Sequence, residues 1–530
     1  MNSPHHTSIS RRTVMTGLAA ALGSAATVQH ARALPTAAAQ RSAALPAGVD
    51  RATLLRWAED TWRSLVAMTP RGTGLPADNI TGDLARSTRS GYTSPTNIGG
   101  YMWSAVVARE LGIITPDECT WRVRQTLRTL LRMKHHEPSG MYYNWYDEAT
   151  GQLILKWPST GAKVYPFVSS VDNGWLGAAL WVVRNAVPGA ADLADRLFER
   201  MRWDAFYNPQ ASRPGGLLHG GFFTQEYGHD RPGGVFLGTH IGGEEVWLTT
   251  HHYDTIVSET RITSYLGIMT GQVPAQHYFA AWRTFPATCD WSWHEMQPVG
   301  VTRNYLGIDV YEGAYTYRGM HIVPGWGGSM FEELMPNVFV PEEEWGPLSW
   351  GRNHPLHVRA QIEHGMAEAG YGYWGFSPSS DPFANYREYG LDALGMNPEG
   401  YFSDHEKTNY DIGFGECRPA TNPSPDFGDG VVTPHAPFLA MMHKPAEAYD
   451  NLVRLEENLD AYGAGGFYDA IAVVSDTPAQ RYLSLDQAMV MGAIGNVAGG
   501  DVLRRAFSTS KVEQVLRPII AMEEFGSGTA

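Results

Sequence analysis

The sequence predicts an all-α fold, an (α/α)6 toroid in which twelve helices pair into six hairpins around a ring. Two observations lead to this prediction: helical patterns recur about a dozen times after Asp50, and strand-like runs are few and short, such as 153–156 and 231–237. No fixed period of the kind found in helical solenoids occurs. We therefore expect a ring without a sheet, whose loops at one end line a cleft.

Local signals support the individual helices. Asp50 can cap the first helix, Leu111-Gly112 can end the second, and Pro116 suits the first turn of the third. We predict helices near 51–68, 97–111, 116–134, 173–187, 190–202, 256–270, 274–284, 356–369, 434–443, 446–459, 484–498 and 500–507.

The N-terminus has the pattern of a bacterial export signal. Residues 1–33 contain Arg11-Arg12, an Ala/Gly-rich apolar stretch and the small-residue cleavage site Ala31-Arg32-Ala33. Residues 34–49 form an Ala/Pro-rich linker, and residues 50–526 are predicted to form one domain. We expect a twin-arginine signal and a secreted or periplasmic protein without a membrane span, a chance Arg-Arg pair being the alternative.

Charge and cysteine content limit the kinds of partner and metal site that the sequence predicts. The net charge is −15, and because residues 1–33 carry three Arg and no acidic residue, the remainder has a net charge of −18. This balance argues against nucleic acid and anionic membrane surfaces as partners. Cys119, Cys289 and Cys417 lie far apart without CxxC spacing, so no cysteine-based metal cluster is predicted. We expect a monomer without a cofactor.

Histidines raise the possibility of a metal site. His251-His252 precede Asp254, and further histidines occur at 135–136 and 240, but the chain has neither HExxH nor an EF-hand loop. We therefore predict no catalytic metal. A structural Ca²⁺ bound by Asp426 and Asp429 remains an alternative.

Aromatic and amide side chains in the loops point to a saccharide partner. The chain has 17 Trp and 25 Tyr, and aromatic rings can stack on the apolar faces of sugars whose edges carry hydroxyls. For most of them, an ordinary place in the core is the simpler explanation. The candidate substrate-binding residues are Asn97, Tyr143, Trp145, Asn173, Trp175, Tyr373 and Trp374.

The segment YDTIVSETRITSY, residues 253–265, carries the best candidate for acid–base chemistry. It places Glu259 beside Arg261 in an otherwise apolar and hydroxylated helical pattern. A carboxyl group in such a setting can have its pKa shifted far enough to act as a catalytic acid. The alternative is a structural Glu–Arg pair. Arg261 is predicted either to hold Glu259 or to bind a sugar hydroxyl.

Seven motifs in the expected order resemble one family. VDNGWL, SETRITSY, GGSMFEELMP, YGYWGFSPS, VVTPHAPFLAM, GGFYDAI and SLDQAM are similar to the motif series of the bacterial glucoamylase-like (glycoamylase-like) domain family, which is related to endo-β-1,2-glucanases. The resemblance covers about residues 50–500 and implies an (α/α)6 barrel and an inverting glycoside hydrolase acting on β-1,2-glucan. Insertions around 205–250 and 379–430 depart from the family pattern and put the substrate in doubt.

The resemblance also implies roles for the acidic residues. Glu259 matches the general-acid position, and an inverting enzyme needs a second carboxylate that activates water from the opposite face. Asp469 is the first candidate for this base because it precedes the last long helix, and Asp429 is the second. Asp172 and Glu332 are supporting carboxylates, for which helix capping and a buried structural bond are the alternatives.

Other functions are possible on the same toroid. A polysaccharide lyase would use Tyr253 or His251 as its base and Arg261 to neutralise a uronate, although six Lys and a strongly negative charge suit that chemistry poorly. A non-catalytic glycan-binding protein is the second alternative. A transglycosylase or phosphorylase lies within the enzyme hypothesis.

Overall fold

The computed structural model describes residues 45–226, 237–285, 296–396 and 427–529, which fall within one compact unit, residues 42–530. Helices are the main elements of the described residues. They are α1 (Arg51–Met68), α2 (Pro95–Glu110), α3 (Pro116–Leu130), α4 (Ser170–Ala186), α5 (Ala191–Glu199), α6 (Arg261–Met269), α7 (His277–Ala280), α8 (Met330–Leu334), α9 (Glu342–Trp345), α10 (Trp350–Glu363), α11 (His435–Ala440), α12 (Pro445–Asn458), α13 (Ser484–Gly499), α14 (Val502–Phe507) and α15 (Ser510–Ile520).

The helix boundaries follow local capping signals. The Asp50 carboxylate accepts a hydrogen bond from the backbone N–H of Thr53 at 2.8 Å, so α1 begins and ends as predicted. Each predicted helix has a counterpart, whereas α8, α9 and α15 lie outside the predicted set. The predicted helix 256–270 begins only at Arg261, which leaves Glu259 in the loop before α6.

The most buried helices lie next to one another. α2, α4 and α13 are buried on nearly all sides, because small or apolar residues occupy their whole circumference, whereas α3, α5 and α12 bury one face. Helix contacts place the inner helices in the order α6, α4, α2, α13, α11, α8. Gly174 permits the close approach of α4 to α6, because a Cβ there would lie 2.0 Å from the Thr263 hydroxyl.

Short strands connect these helices, and the expectation of a fold without a sheet is wrong. The strands are β1 (Asn79–Thr81), β2 (His135–His136), β3 (Met141–Tyr142), β4 (Phe167–Ser169), β5 (Tyr207–Asn208), β6 (Leu217–His219), β7 (Gly221–Phe223), β8 (Leu237–Ile241), β9 (Glu244–Leu248), β10 (His252–Tyr253), β11 (Val299–Tyr305), β12 (Ile308–Tyr317), β13 (Met320–Ile322), β14 (Ser379–Ser380), β15 (Tyr386–Arg387), β16 (Val431–Val432), β17 (Tyr462–Gly463), β18 (Gly466–Phe467), β19 (Ala470–Ala472), β20 (Thr477–Ala479), β21 (Arg481–Leu483) and β22 (Gly528–Thr529).

The sheets are small and antiparallel. The largest have four strands, in the orders β4-β7-β9-β8 and β11-β12-β13-β22, and the first includes part of the predicted insertion 205–250. β11 and β12 form a hairpin whose turn, Leu306-Gly307, has positive φ at both residues, the backbone that a two-residue hairpin loop requires. The run 153–156 forms only isolated bridges, and residues 231–236 lie outside the described part of the chain.

Several predictions concern residues that the structure does not describe. The export signal, most of the linker, Cys289, Cys417 and Asp426 all lie outside the described ranges. Cys119 is a buried free thiol in α3. Among the helices of the described residues, none has the length and apolar character needed to cross a bilayer.

Candidate active site

Two carboxyl groups, Asp78 and Asp172, lie at the N-terminus of α2. The Thr96 hydroxyl donates a hydrogen bond to Asp172 at 2.7 Å, and the Asn97 amide donates one to Asp78 at 2.9 Å. Burial raises the pKa of Asp172, while the hydroxyls of Thr96 and Ser169 act in the opposite direction. The positive end of the α2 dipole also favours negative charge at this place. Asn97, a predicted sugar ligand, is buried and bound to Asp78.

Glu259 is half-buried in the loop before α6. Burial raises its pKa to about 7, against an ordinary value of 4.5, and the negative charge of Asp172 acts in the same direction. The pKa of the Tyr253 hydroxyl is raised by burial and by both Glu259 and Asp172, which places these three side chains together. A hydroxyl hydrogen bond from Ser258 to Glu259 is long, at 3.4 Å.

Glu332 lies in the first turn of α8 and forms a capping box with Ser329. Its carboxylate accepts hydrogen bonds from the Ser329 hydroxyl at 2.9 Å and from the backbone N–H groups of Ser329, Gly327 and Trp326 at 3.2 Å. Burial and then the charge of Glu259 raise its pKa to about 8, and the hydrogen bonds oppose that shift. Glu332 therefore has a structural role and also lies close enough to Glu259 to influence its ionisation.

Arg261 is buried, with 3% of its surface exposed, and does not pair with Glu259. Its guanidinium donates to the Glu342 carboxylate at 2.8 and 3.1 Å and to the backbone carbonyls of Ser258, Glu332 and Glu333 at 2.6–3.0 Å. The side chain thus joins the Glu259 loop to α8. This burial conflicts with the predicted contact between Arg261 and a sugar. Arg261 also does not bind Glu259 directly, but it binds the backbone of the loop that carries Glu259.

Asp469 and Asp486 form a buried carboxyl pair. Both side chains are almost fully buried, at 2% and 5% exposure, and each influences the ionisation of the other. Burial and then Asp486 raise the pKa of Asp469 well above its ordinary value, and burial raises the pKa of Asp486 to about 7. The backbone N–H of Ser380 donates to Asp469 at 2.6 Å, and His435 Nδ1 lies 3.3 Å from Asp486.

Tyr386 and Glu388 join these groups and were not predicted. The pKa of Tyr386 is raised by burial of its hydroxyl and then by Asp486, Asp469 and Glu388, although 52% of the residue is exposed. Glu388 also raises the pKa of Tyr253. We call the connected set Asp78, Asp172, Glu259, Glu332, Glu388, Asp469 and Asp486 the carboxyl cluster.

The other predicted sugar ligands divide into buried and accessible residues. Asn173 is fully buried and hydrogen-bonds the backbone of Tyr142 in both directions. The remaining buried ones are Trp175, Trp374 and Tyr143, at 1%, 1% and 5% exposure. Only Trp145 and Tyr373 among the predicted ligands are half-buried, so that their side chains reach solvent.

The candidates for the general base differ in whether they belong to the carboxyl cluster. Asp429 is half-buried, and its backbone carbonyl accepts a hydrogen bond from Val474, but nothing in the described residues links its carboxylate to the cluster. Asp469 and Asp172 are both members of the cluster. Within the described ranges, no group of three or more His, Cys, Asp or Glu side chains is arranged to hold a metal ion.

This arrangement can move protons near neutral pH. Glu259 and Asp486 both have pKa values of about 7, and Glu332 has one of about 8, so protonated and ionised carboxyls coexist in one cluster. Groups of this kind suit general acid–base catalysis, in which one carboxyl donates a proton and another accepts one.

Two family models match separate parts of the chain. Residues 251–511 match Glycoamylase, described as "Putative glucoamylase", and residues 56–218 match DUF3131, described as "Protein of unknown function (DUF3131)". The chain is also 29% identical over 277 residues to the "Cyclic beta-(1,2)-glucan synthase NdvB" of Rhizobium meliloti (strain 1021). That alignment covers 49% of this chain and spans only 8% of that protein.

Solved structures share the fold. An endo-β-1,2-glucanase from Chitinophaga pinensis, in complex with sophorotriose and glucose, has a TM-score of 0.58 at 14% identity, covering 89% of this chain and 98% of that one. An endo-β-1,2-glucanase mutant from Talaromyces funiculosus, in complex with β-1,2-glucan, has a TM-score of 0.62 at 12% identity, covering 88% of each chain.

A "putative glucoamylase" from Bacteroides uniformis ATCC 8492 has a TM-score of 0.60 at 16% identity, covering 91% of this chain and 98% of that one. Similarity at this level of identity concerns the fold, whereas the family match concerns the sequence. Together they confirm the predicted resemblance: residues 251–511 match the glycoamylase-like family model, and the fold is shared with endo-β-1,2-glucanases.

Proposed function

We propose that the chain is a glycoside hydrolase that cleaves a glucan, with β-1,2-glucan as its substrate and Glu259 as the general acid. The observation that carries this proposal is the state of Glu259. Its carboxyl group is half-buried, has a pKa of about 7 and belongs to a cluster that offers a second carboxylate. A carboxyl group that keeps its proton near neutral pH can protonate a leaving oxygen.

The reaction follows from these groups. Glu259 donates its proton to the glycosidic oxygen as the bond from that oxygen to the anomeric carbon breaks. Water attacks the anomeric carbon from the opposite face and loses a proton to a base, so a β-linkage yields an α-anomer. Because Glu259 must be protonated, we expect the rate to fall as the pH rises above about 7.

For the base we propose Asp469, acting as a unit with Asp486. Near pH 7, where Asp486 loses its proton, the pair carries one negative charge with which to accept a proton from water. Because Asp469 is only 2% exposed, the attacking water would reach the pair through the small part of its surface that stays accessible. Asp172 is the second candidate, because it is half-buried and lies next to Glu259.

The helical frame suits a twelve-helix toroid. Six inner helices lie in the order α6, α4, α2, α13, α11, α8, and α3, α5 and α12 pack against α2, α4 and α11. We propose that these are the inner and outer layers of an (α/α)6 ring. We also propose that the twin-arginine pattern directs export, so that the enzyme acts outside the cytoplasm.

The structure favours hydrolysis over a lyase reaction. A lyase needs an accessible cation beside the uronate carboxylate, but Arg261 is buried and already paired with Glu342. Tyr253 would rarely be ionised and so rarely able to act as a base, because burial and then the charges of Glu259 and Asp172 disfavour the phenolate. The carboxyl cluster would likewise repel an anionic substrate.

The test is release of reducing ends from linear β-1,2-glucan by the wild type and by Glu259→Gln. We expect kcat to fall about 10²–10⁴-fold in the variant, and to fall much less on an aryl glycoside whose leaving group needs no proton. Glu245→Gln, at an exposed glutamate on β9, is the matched control and should keep full activity. Full activity in Glu259→Gln would disprove the acid assignment.

Chemical rescue with azide identifies the general base. Asp469→Asn and Asp172→Asn should each be assayed with added azide, which can replace water and needs no general base. The variant that lacks the base should regain turnover and release an α-glycosyl azide. Rescue of Asp172→Asn alone would move the assignment to Asp172, and a β-anomeric product from the wild type would exclude inversion.

A further inference from the structure

Residues 386–390 form an extended segment with two different faces. It continues from the hairpin β14–β15, in which Tyr386 pairs with Ser380. Exposure alternates along it: Tyr386 and Glu388 are exposed, Arg387 is half-buried and Tyr389 is fully buried. Alternate residues of an extended chain point to opposite sides, so Tyr386 and Glu388 share the outer face.

The inner face fixes the segment to the rest of the site. Arg387 pairs with the buried carboxylate of Asp381 at 2.5 Å. Gly390 lies so close to the loop before α8 that a Cβ there would lie 1.9 Å from the carbonyl oxygen of Gly327. The Leu391 N–H also donates to the Gly328 carbonyl at 3.0 Å. The segment is therefore anchored beside the loop that caps Glu332.

The outer face interacts with both halves of the carboxyl cluster. Tyr386 is opposite Ser380, whose backbone N–H holds Asp469 at 2.6 Å. Glu388, two residues further on, acts electrostatically on Tyr386 and also on Tyr253, the neighbour of Glu259. Tyr386 is thus placed beside the Asp469 pair by the hairpin register, and Glu388 is near enough to Tyr253 to affect its ionisation.

Glu388 differs from the other members of the cluster in its partners. Asp78, Asp172, Glu332 and Asp469 accept hydrogen bonds from the protein. Within the described ranges of the chain, Glu388 has no hydrogen bond and no ion pair. An ionised carboxylate offers about four acceptor sites. Those of Glu388 are open to donors from a bound molecule.

We propose that Tyr386 and Glu388 contact the substrate, with the Tyr386 ring supporting a sugar ring and the Glu388 carboxylate accepting hydrogen bonds from its hydroxyls. A pyranose has an apolar face and an edge of hydroxyl donors, and an exposed aromatic ring beside an unpartnered carboxylate matches both features. The inference deepens the proposed function and rests on it. It makes these residues determinants of sugar binding between acid and base.

The test measures binding without turnover. In the Glu259→Gln protein, titration calorimetry with a β-1,2-gluco-oligosaccharide gives the Kd of the parent. Adding Tyr386→Ala or Glu388→Gln should each weaken binding about tenfold or more, since hydrogen bonds to charged groups and aromatic contacts are worth that much. Tyr386→Phe should bind within about threefold of the parent, because the ring is retained.

The control is Phe383→Ala, an exposed aromatic residue on the same hairpin that lies outside the proposed contact. It should bind like the parent, and the melting temperature of the Glu388→Gln variant should stay unchanged because that side chain is exposed and the two side chains have nearly the same shape. Equal binding by the parent, Tyr386→Ala and Glu388→Gln would overturn the inference alone. A parent that binds no glucan and nothing in a wider glycan panel would overturn the proposed function and this inference together.

Discussion

The pKa of Glu259 depends on how its neighbour Arg261 is engaged. A free arginine two residues away would favour the ionised carboxylate and so lower its pKa. Arg261 instead donates to Glu342, and although burial opposes it, the charge of Arg261 lowers the pKa of Glu342 to about 2. Arg261 therefore acts mainly on the pKa of Glu342, and burial is the main cause of the raised pKa of Glu259.

This raised pKa has a consequence for stability. An unfolded glutamate loses its proton near pH 4.5, whereas folded Glu259 loses it near pH 7. The stability that the protonated form contributes is therefore complete below pH 4.5 and is lost as the pH rises through 7. Glu259→Gln removes this loss, so we expect the variant to melt above the wild type by about 2–4 °C at pH 8.

The measurement is the melting temperature of both proteins from pH 5 to pH 8. The difference between them should grow with pH over this range. A constant difference would show that Glu259 ionises in the folded protein as it does in the unfolded chain. Glu245→Gln, at an exposed position, should follow the wild type throughout.

Helices α6, α8, α9 and α10 are joined by a buried ionic network. Arg261 on α6 binds Glu342 on α9, while His354 on α10 lies 2.6 Å from Glu333 and 3.3 Å from Glu342. Although burial acts to lower it, Glu333 and Glu342 raise the pKa of His354. The network fixes α8, and with it Glu332, relative to the loop of Glu259.

Breaking this network should cost far more than breaking a surface pair. Arg261→Met leaves Glu342 with less compensation in the interior, and the free energy of unfolding should fall by about 3–5 kcal/mol. Arg359→Gln, which removes an exposed pair with Glu363 on α10, should cost about 0.5 kcal/mol or less. Urea unfolding of both variants provides the comparison, and equal losses would contradict the structural role of Arg261.

The elements differ in how far the sequence predicts them. α1 follows from a local period and a capping aspartate, so its bounds could be predicted from 18 residues. β1 and β21 are three residues each and pair across most of the chain, so no local pattern identifies them. The turn Leu306-Gly307 lacks the Asn-Gly signature that usually marks such a hairpin, and β11–β12 was therefore missed.

The residues of the candidate site also differ in how far the sequence predicts them. Glu259 was predicted because its motif is contiguous. Glu388 and Tyr386 lie in a predicted insertion with no motif, and only the register of a short hairpin aligns them with Asp469. Trp175 and Trp374 were predicted as sugar ligands because aromatic content cannot distinguish a core ring from an exposed one.

A second buried charge cluster ties the C-terminal segment to the rest of the molecule. Glu523 is 1% exposed and accepts hydrogen bonds from Arg283 at 2.5 Å and from the Tyr278 hydroxyl at 2.8 Å. Burial and then the charge of Glu523 raise the pKa of the neighbouring Glu312 to about 9. Arg283 donates to Glu523, whereas Glu312, with its raised pKa, is the neutral carboxyl at pH 7.

This assignment predicts an order of stabilities at pH 7. Glu312→Gln replaces a neutral carboxyl by a neutral amide and should cost about 1 kcal/mol or less. Glu523→Gln should cost more, and the double variant, which leaves Arg283 without an anion, should lose about 3–5 kcal/mol. Urea unfolding measures all three. A loss in Glu312→Gln equal to that in Glu523→Gln would show that Glu312 is ionised.

The pairing of β1 with β21 also sets the order of events during biosynthesis. Asn79 pairs with Leu483, and Arg56 of α1 binds Glu456, 400 positions further along the chain. At about 5–20 residues per second, the ribosome needs about 20–80 s to make that intervening stretch. Throughout this time α13 is absent, so the faces of α1 and α2 that pack against it expose apolar surface until translation is nearly complete.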